Sequence, residues 1–207
     1  MIKTYSQSCK ECRAAGEKLF LKGARCTSPK CPIDRRGAVP PGQHRAKGKR
    51  KLSDFGVRLQ EKQKVKRIYG VMERQMKKYF EEARKVKEST GETMLQILES
   101  RLDNLVYRLG FAPSRRLARQ LVSHKHVLVD GKVVNIPSYQ VKPGQVISLD
   151  REAMSVPAVK SLLEKKEVLM PAWLERKAAV GKFSHLPKRE EIDTNINEQL
   201  VVESYSR

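Results

Sequence analysis

All the cysteines of this chain, Cys9, Cys12, Cys26 and Cys31, fall in one short segment, SCKECRAAGEKLFLKGARCTSPKCPIDRRG. The spacing is Cys-x2-Cys, thirteen intervening residues, then Cys-x4-Cys. Two close pairs separated by such a loop match a tetrahedral structural zinc site, each pair forming a tight knuckle. Lys10, Lys18, Lys22, Arg25 and Lys30 surround them, and their charge offsets that of a zinc held by four thiolates. A cytosolic chain would keep the thiols reduced, which argues against disulfides. A dithiol redox site needs only a single Cys-x-x-Cys, whereas an iron–sulfur cluster has the same ligand count as zinc. A metal would replace the hydrophobic core that so polar a segment cannot build.

The rest of the chain is strongly cationic. It has 207 residues, with 43 Lys and Arg against 23 Asp and Glu, for a formal net charge of +20. Such an excess attracts a polyanion, and nucleic acid is the leading candidate because each neutralised phosphate releases a counterion. The opening MIKTYSQS has no apolar signal region, and no stretch approaches the roughly 18 apolar residues of a membrane span. The expected location is the cytoplasm, with no membrane partner.

From Asp34 to Ser53 the chain reads DRRGAVPPGQHRAKGKRKLS, rich in Gly, Pro and cations and without apolar period. An extended arm that orders on a polyanion is expected, with Arg35, Arg36, His44, Arg45, Lys47, Lys49, Arg50 and Lys51 on phosphates. A helical stretch follows, in which Val65, Ile68, Tyr69, Met72, Met76, Tyr79, Phe80, Ala83 and Val86 recur at helical spacing. Gly70 is a candidate break, and Lys66 and Arg67 lie off the stripe as RNA contacts. TMLQILESRLDNLVYRLGFAPS reads as a further helix from a capping box at Thr93 and Gln96 to a stop at Gly110. Ser114 then caps a shorter helix, with Leu117, Ala118, Leu121 and Val122 on one side and Arg115, Arg116 and Arg119 nearly opposite. Arginines on a capped first turn suit phosphate contacts. Asp130–Gly131 is a strong hairpin signal, and YQVKPGQVISL predicts a second strand pair, or a strand–turn–strand, around Pro143–Gly144. Lys125, His126 and Lys132 complete the basic module, and His124 and His126 lack metal-ligand companions in the sequence. QLVVESY reads as a strand. Trp173 and Leu174 are expected to anchor a core. No phosphate loop, Ser/His/Asp arrangement or His-Glu-x-x-His is present, so an enzyme is not expected.

The stretches EKQKVKRIYGVMERQMKKYF, ESRLDNLVYRLGFAPSRRLARQLVSHKHVLVDGKVVNIPSYQVKPGQVI and INEQLVVESYSR resemble the universal ribosomal protein four family of bacterial small subunits. The likeness runs along essentially the whole length, and Cys9, Cys12, Cys26 and Cys31 stand where the zinc-binding form has its ligands. The resemblance implies a structural ribosomal protein holding one structural zinc ion. It implies binding to a multi-helix junction in the 5′ domain of 16S rRNA, nucleation of subunit-body assembly and a contribution to translational accuracy. Ribosomal protein five, neighbouring small-subunit proteins and messenger RNA where it enters are the implied partners. An RNA-modifying enzyme using the same module is the alternative.

The predicted fold class is α+β: a mainly helical body with an inserted two-helix plus small-sheet RNA-binding domain and an N-terminal zinc-binding extension. The expected segments are 1–45 for the zinc-binding segment and basic arm, and 46–93 for the first part of the helical body. They continue with 94–155 for the RNA-binding domain and 156–207 for the second part of the body, ending in a strand.

Overall fold

The computed structural model describes residues 8–42, 51–86, 89–164 and 170–206. The chain forms two compact units, Met1–Lys85 with Asn195–Arg207, and Val86–Thr194.

The first unit opens with three short helices, α1 (Ser8–Ala15), α2 (Ala24–Thr27) and α3 (Pro32–Arg36), followed by α4 (Asp54–Tyr69) and α5 (Glu73–Arg84). Ser53 caps α4 by accepting from the Gly56 N–H at 3.3 Å. Gly70 ends it at φ +63°, a left-handed conformation that costs glycine nothing, and donates its N–H to the Lys66 carbonyl. Val65, Ile68, Tyr69, Met76, Tyr79, Phe80 and Ala83 are buried along these two helices. Met72 and Val86, expected in the same stripe, are 44% and 45% exposed. Met72 is the residue before α5, and Val86 lies past its end, so neither shares the helical face.

The expected C-terminal strand is a helix, α11 (Glu198–Tyr205). The Asn197 side chain caps it at the Leu200 N–H. Val201 is buried, and Tyr205 four residues on stacks against Phe80 with ring centroids 5.3 Å apart. Capping and this i, i+4 apolar face override the strand preference of the Val201–Val202 pair. The helix packs on α4, so the first unit contains residues from both sides of the second.

The second unit has α6 (Thr90–Glu99), α7 (Leu102–Arg108), α8 (Arg115–Ser123), α9 (Arg151–Ser155) and α10 (Pro157–Leu163). Five antiparallel strands accompany them: β1 (Val127–Val129), β2 (Lys132–Val133), β3 (Val146–Leu149), β4 (Leu174–Lys177) and β5 (Val180–Phe183), in spatial order β2-β1-β3-β5-β4. The core holds Leu102, Leu105, Leu109, Phe111, Leu121, Val127, Ile147, Trp173 and Phe183. Trp173 meets Phe183 edge-on at 5.6 Å.

Three expectations are corrected here. The single helix from Thr93 to Gly110 is two, α6 and α7, broken at Ser100–Arg101, and Thr93 lies inside α6 rather than capping it. The break occurs because Ser100 accepts from the Val141 N–H, while Leu102 and Asp103 donate their N–H groups to Tyr139 and Pro137. The segment before Pro143–Gly144 therefore docks on this break instead of pairing with β3. Lastly, the expected boundary after 155 falls inside a unit. β3 pairs with β5, and the β4–β5 hairpin extends the module's own sheet, so 156–194 belongs with the second unit rather than the helical body.

Candidate nucleic-acid interface and thiol cluster

α1 presents Cys9 and Cys12 one turn apart, α2 carries Cys26, and Cys31 precedes Pro32 at the start of α3. All four are free thiols lining one cavity of about 10 Å³ with Ser8, Leu21, Lys22, Arg25, Pro32 and Ile33. Cys12, Cys26 and Cys31 are buried and Cys9 half-buried. The Lys22 N–H donates to the Cys26 sulfur at 3.3 Å. Burial pushes the Cys12 thiol up, against a backbone hydrogen bond from Leu19, and the nearby Cys26, Cys9 and Cys31 add to the rise. Among the described residues, one group of donor side chains has ligand atoms all within 4.8 Å of one another: His126, Asp150 and Glu152. The four thiols ring their cavity more loosely than that. His126 thus has the carboxylate companions that its sequence neighbourhood lacked, with Nδ1 3.9 Å from Glu152. Both acids are exposed, and Asp150 is occupied in capping α9 at the Arg151 N–H.

The same three short helices form a second feature. Arg13, Arg25, Lys30, Arg35 and Arg36 line a cleft of about 690 Å³ with Pro32 and Val39. Among the described residues, no acid and no aromatic ring lines it. Arg13 fixes its rim by donating Nε to the Val39 carbonyl at 2.8 Å and Nη2 to the Pro40 carbonyl at 3.0 Å. Asp34, the nearest acid in sequence, is tied to Lys18 at 2.7 Å. Arg35 and Arg36 are expected contacts, whereas Arg13, Arg25 and Lys30 were not assigned to RNA. Their basic types were visible, but three helices are needed to bring them together.

Of the remaining arm, Lys51 is exposed, while His44, Arg45, Lys47, Lys49 and Arg50 lie outside the described residues. On α4, Lys66 is bound to Glu73 at 2.7 Å, so its charge already serves the fold. Arg67 is half-buried on the same helix.

In the second unit, Ser114 accepts from the Leu117 N–H at 3.3 Å and starts α8, which buries Ala118, Leu121 and Val122. Its hydroxyl therefore serves the backbone. Arg115, Arg116 and Arg119 are half-buried along the edge of that face, and no acid accompanies them on α8. Lys125, exposed and at φ +69°, and the half-buried His126 continue directly from the helix. Lys132 is exposed on β2, across the Asp130–Gly131 hairpin. Sequence reasoning missed the floor beneath α8, where Glu99, Arg101, Asp103 and Asn104 are buried together.

No helix among the described residues is long and apolar enough to cross a membrane. Residues 3–99 match the family model described as ribosomal protein S4/S9 N-terminal domain, and residues 100–147 match the S4 domain. A protein of Dictyoglomus turgidum, the small ribosomal subunit protein uS4, is 55% identical with full coverage of both chains. Proteins of the same name from Azoarcus sp. and Thermus thermophilus are 50% and 52% identical, over 100% and 96% of each chain. With half its residues shared along its full length, the chain belongs to the small ribosomal subunit protein uS4 family, whose members are structural parts of the ribosome and not enzymes.

Proposed function

We propose that the chain is a primary 16S rRNA-binding protein that holds a multi-helix junction of the 5′ domain and nucleates assembly of the small-subunit body. The observation that carries this reading is the placement of guanidinium groups on two rigid supports. One is the capped helix α8, and the other is the cation-lined cleft of α1–α3. A-form duplexes hide their base edges in a deep groove, so a rigid protein reads phosphates, 2′-hydroxyls and helix shape. Arg115, Arg116 and Arg119 grip backbone at the junction with Lys125, His126 and Lys132 beside them. Arg13, Arg25, Lys30, Arg35 and Arg36 take a second run of phosphates, from which the basic arm continues. Contact with ribosomal protein five and with messenger RNA as it enters, and through them an effect on decoding accuracy, belong to the same proposal.

The chain is further proposed to be a zinc-binding member. Four soft donors around one cavity suit zinc. The Lys22 N–H to Cys26 sulfur bond is the kind of outer contact that steadies a thiolate ligand. A zinc ion there, with the thiols drawn in around it, would cross-link α1, α2 and the start of α3.

Chemical footprinting on 16S rRNA tests the reading. Discrete protections in the 5′ domain, and co-migration with the small subunit, are expected. Uniform weak protection of any RNA would overturn it.

A further inference from the structure

Beneath α8 lies a set of polar side chains that the RNA-binding reading leaves unused. Glu99, Arg101, Asp103 and Asn104 surround the break between α6 and α7, and all are buried. Glu99 holds Arg108 in a two-point pair, Nε to Oε2 at 3.0 Å and Nη2 to Oε1 at 2.7 Å. Asn104 donates Nδ2 to Glu99 Oε2 at 2.6 Å. That bond fixes the amide so that its oxygen points outward and accepts Arg115 Nε at 2.7 Å. The Arg115 guanidinium also lies 4.5 Å above the Tyr107 ring. A parallel arrangement holds Arg119. Buried Arg101 grips Asp103 with Nε to Oδ1 at 3.0 Å and Nη2 to Oδ2 at 2.7 Å. Arg119 Nη1 then stands 3.6 Å from that same Oδ2, with its side chain 38% exposed.

Buried ion pairs are poor value for stability, since well-packed apolar residues of similar volume often serve as well or better. Their use here is geometric. Arg115 and Arg119 are each tied on one side to a side chain that is itself locked by a buried partner.

Resting on the RNA-binding reading, we infer that Asn104 and Asp103 are positioning residues: they preset Arg115 and Arg119 in the free protein, so that RNA meets guanidinium groups already at fixed spacing. Ordering a long side chain on binding costs about 3- to 10-fold in affinity, and this framework removes that cost before RNA arrives. Preset spacing favours an RNA whose phosphates match it, so the framework acts on selectivity. It adds no charge of its own that could bind RNA.

The test uses the full chain with two probes, a transcript of the 16S 5′ domain and poly(U). Arg115→Lys keeps the charge but loses the planar stack and the Nε bond. Asn104→Ala keeps every charge and removes the tether. Tyr107→Leu removes the stack, and Tyr107→Phe keeps it. Arg115→Lys, Asn104→Ala and Tyr107→Leu are each expected to weaken transcript binding about 3- to 10-fold. In Asn104→Ala and Tyr107→Leu the salt slope and poly(U) affinity stay at the wild-type values, and Tyr107→Phe binds as wild type. In the free protein, ¹⁵N relaxation should give Arg115 and Arg119 Nε order parameters near the roughly 0.85 of rigid backbone. The Arg115 value should fall below about 0.6 in Asn104→Ala. A purely structural role would lower the melting temperature and leave these readouts alone. Should Asn104→Ala fail to fold, Arg115→Lys and Tyr107→Leu decide. Unchanged transcript affinity in those variants, or equal loss on both RNAs, overturns the positioning role. A wild-type chain with no preference for the transcript overturns the RNA reading and the positioning role together.

Discussion

The Tyr205 hydroxyl donates to Glu73 Oε1 at 3.0 Å, joining α11 to the first turn of α5. The same carboxylate takes Lys62 at 3.0 Å and Lys66 at 2.7 Å. Burial works to raise the Glu73 pKa, but the hydrogen bonds from Lys66, Lys62 and Tyr205 outweigh it and hold the carboxyl at about 2.

A pKa below the ordinary 4.5 means that this stabilisation is present above about pH 4.5 and is lost as pH falls toward 2. The carboxylate is 48% exposed, so solvent screening cuts the contribution to on the order of 1 kcal/mol. Urea midpoints of wild type and Glu73→Gln are expected to differ at pH 7 and to converge near pH 2. Parallel curves across that range would remove Glu73 from the account.

Gly181 on β5 lies against Leu109, just past the end of α7. A Cβ there would come within 2.5 Å and 2.6 Å of the two Leu109 methyls. Leu109 is fully buried, so its methyls can move only by repacking the core around them. Gly181→Ala is therefore expected to cost about 1–3 kcal/mol as an overpacked site. In a double-mutant cycle with Leu109→Ala, part of that cost should vanish. Strict additivity in thermal melts would show that the strand shifts freely.

Metal analysis of the purified chain should find one zinc per molecule, and no iron with acid-labile sulfide. Cys12→Ala should abolish stoichiometric zinc. Chelation should raise amide exchange in α1–α3 while the Val86–Thr194 unit keeps its protection, because the metal would stand in for a core only in the segment that lacks one. Exchange that rises equally in both units, or no metal at all, would refute the assignment.

Salt dependence counts phosphates. Arg119→Gln is the cleaner probe of α8, since a glutamate there would face Asp103. It should flatten the slope of log K against log salt by about one unit on the 5′ domain transcript. Arg25→Gln with Lys30→Gln should flatten it by about two, if both cleft cations neutralise phosphate. A wild-type slope for the double variant would restrict the interface to α8 and the arm.

Much of this was legible where the signal is local. The Ser114 cap, the Gly70 stop, the Asp130–Gly131 hairpin and the apolar face of α8 each depend on a few adjacent residues. What was misread depends on distant partners. The WLERKAAVGKF stretch reads as mixed and polar, and becomes β4 and β5 only because β3 offers it an edge. Val201 and Val202 suggest a strand until Phe80 and α4 supply a helix-shaped seat. At the interface, the α8 arginines stood out by helical spacing. Their buried supports did not, because an unbroken helix through Ser100 would place Asp103 and Asn104 without regard to the 136–141 segment. The cleft residues Arg13, Arg25 and Lys30 sit on separate turns whose convergence no spacing rule describes.

The threading of the chain dictates an order of events as it emerges during synthesis. Val86–Thr194 holds its entire core in one continuous run and is free to collapse as soon as it is made. The helices before it cannot finish, since α11, which covers α4, is translated only afterwards. Until then, the older half of the molecule waits with an open apolar flank while the younger half is already closed. A nonsense mutation between Thr194 and Tyr205 would thus leave a sound RNA-facing module attached to an unfinished partner, a natural target for proteolysis.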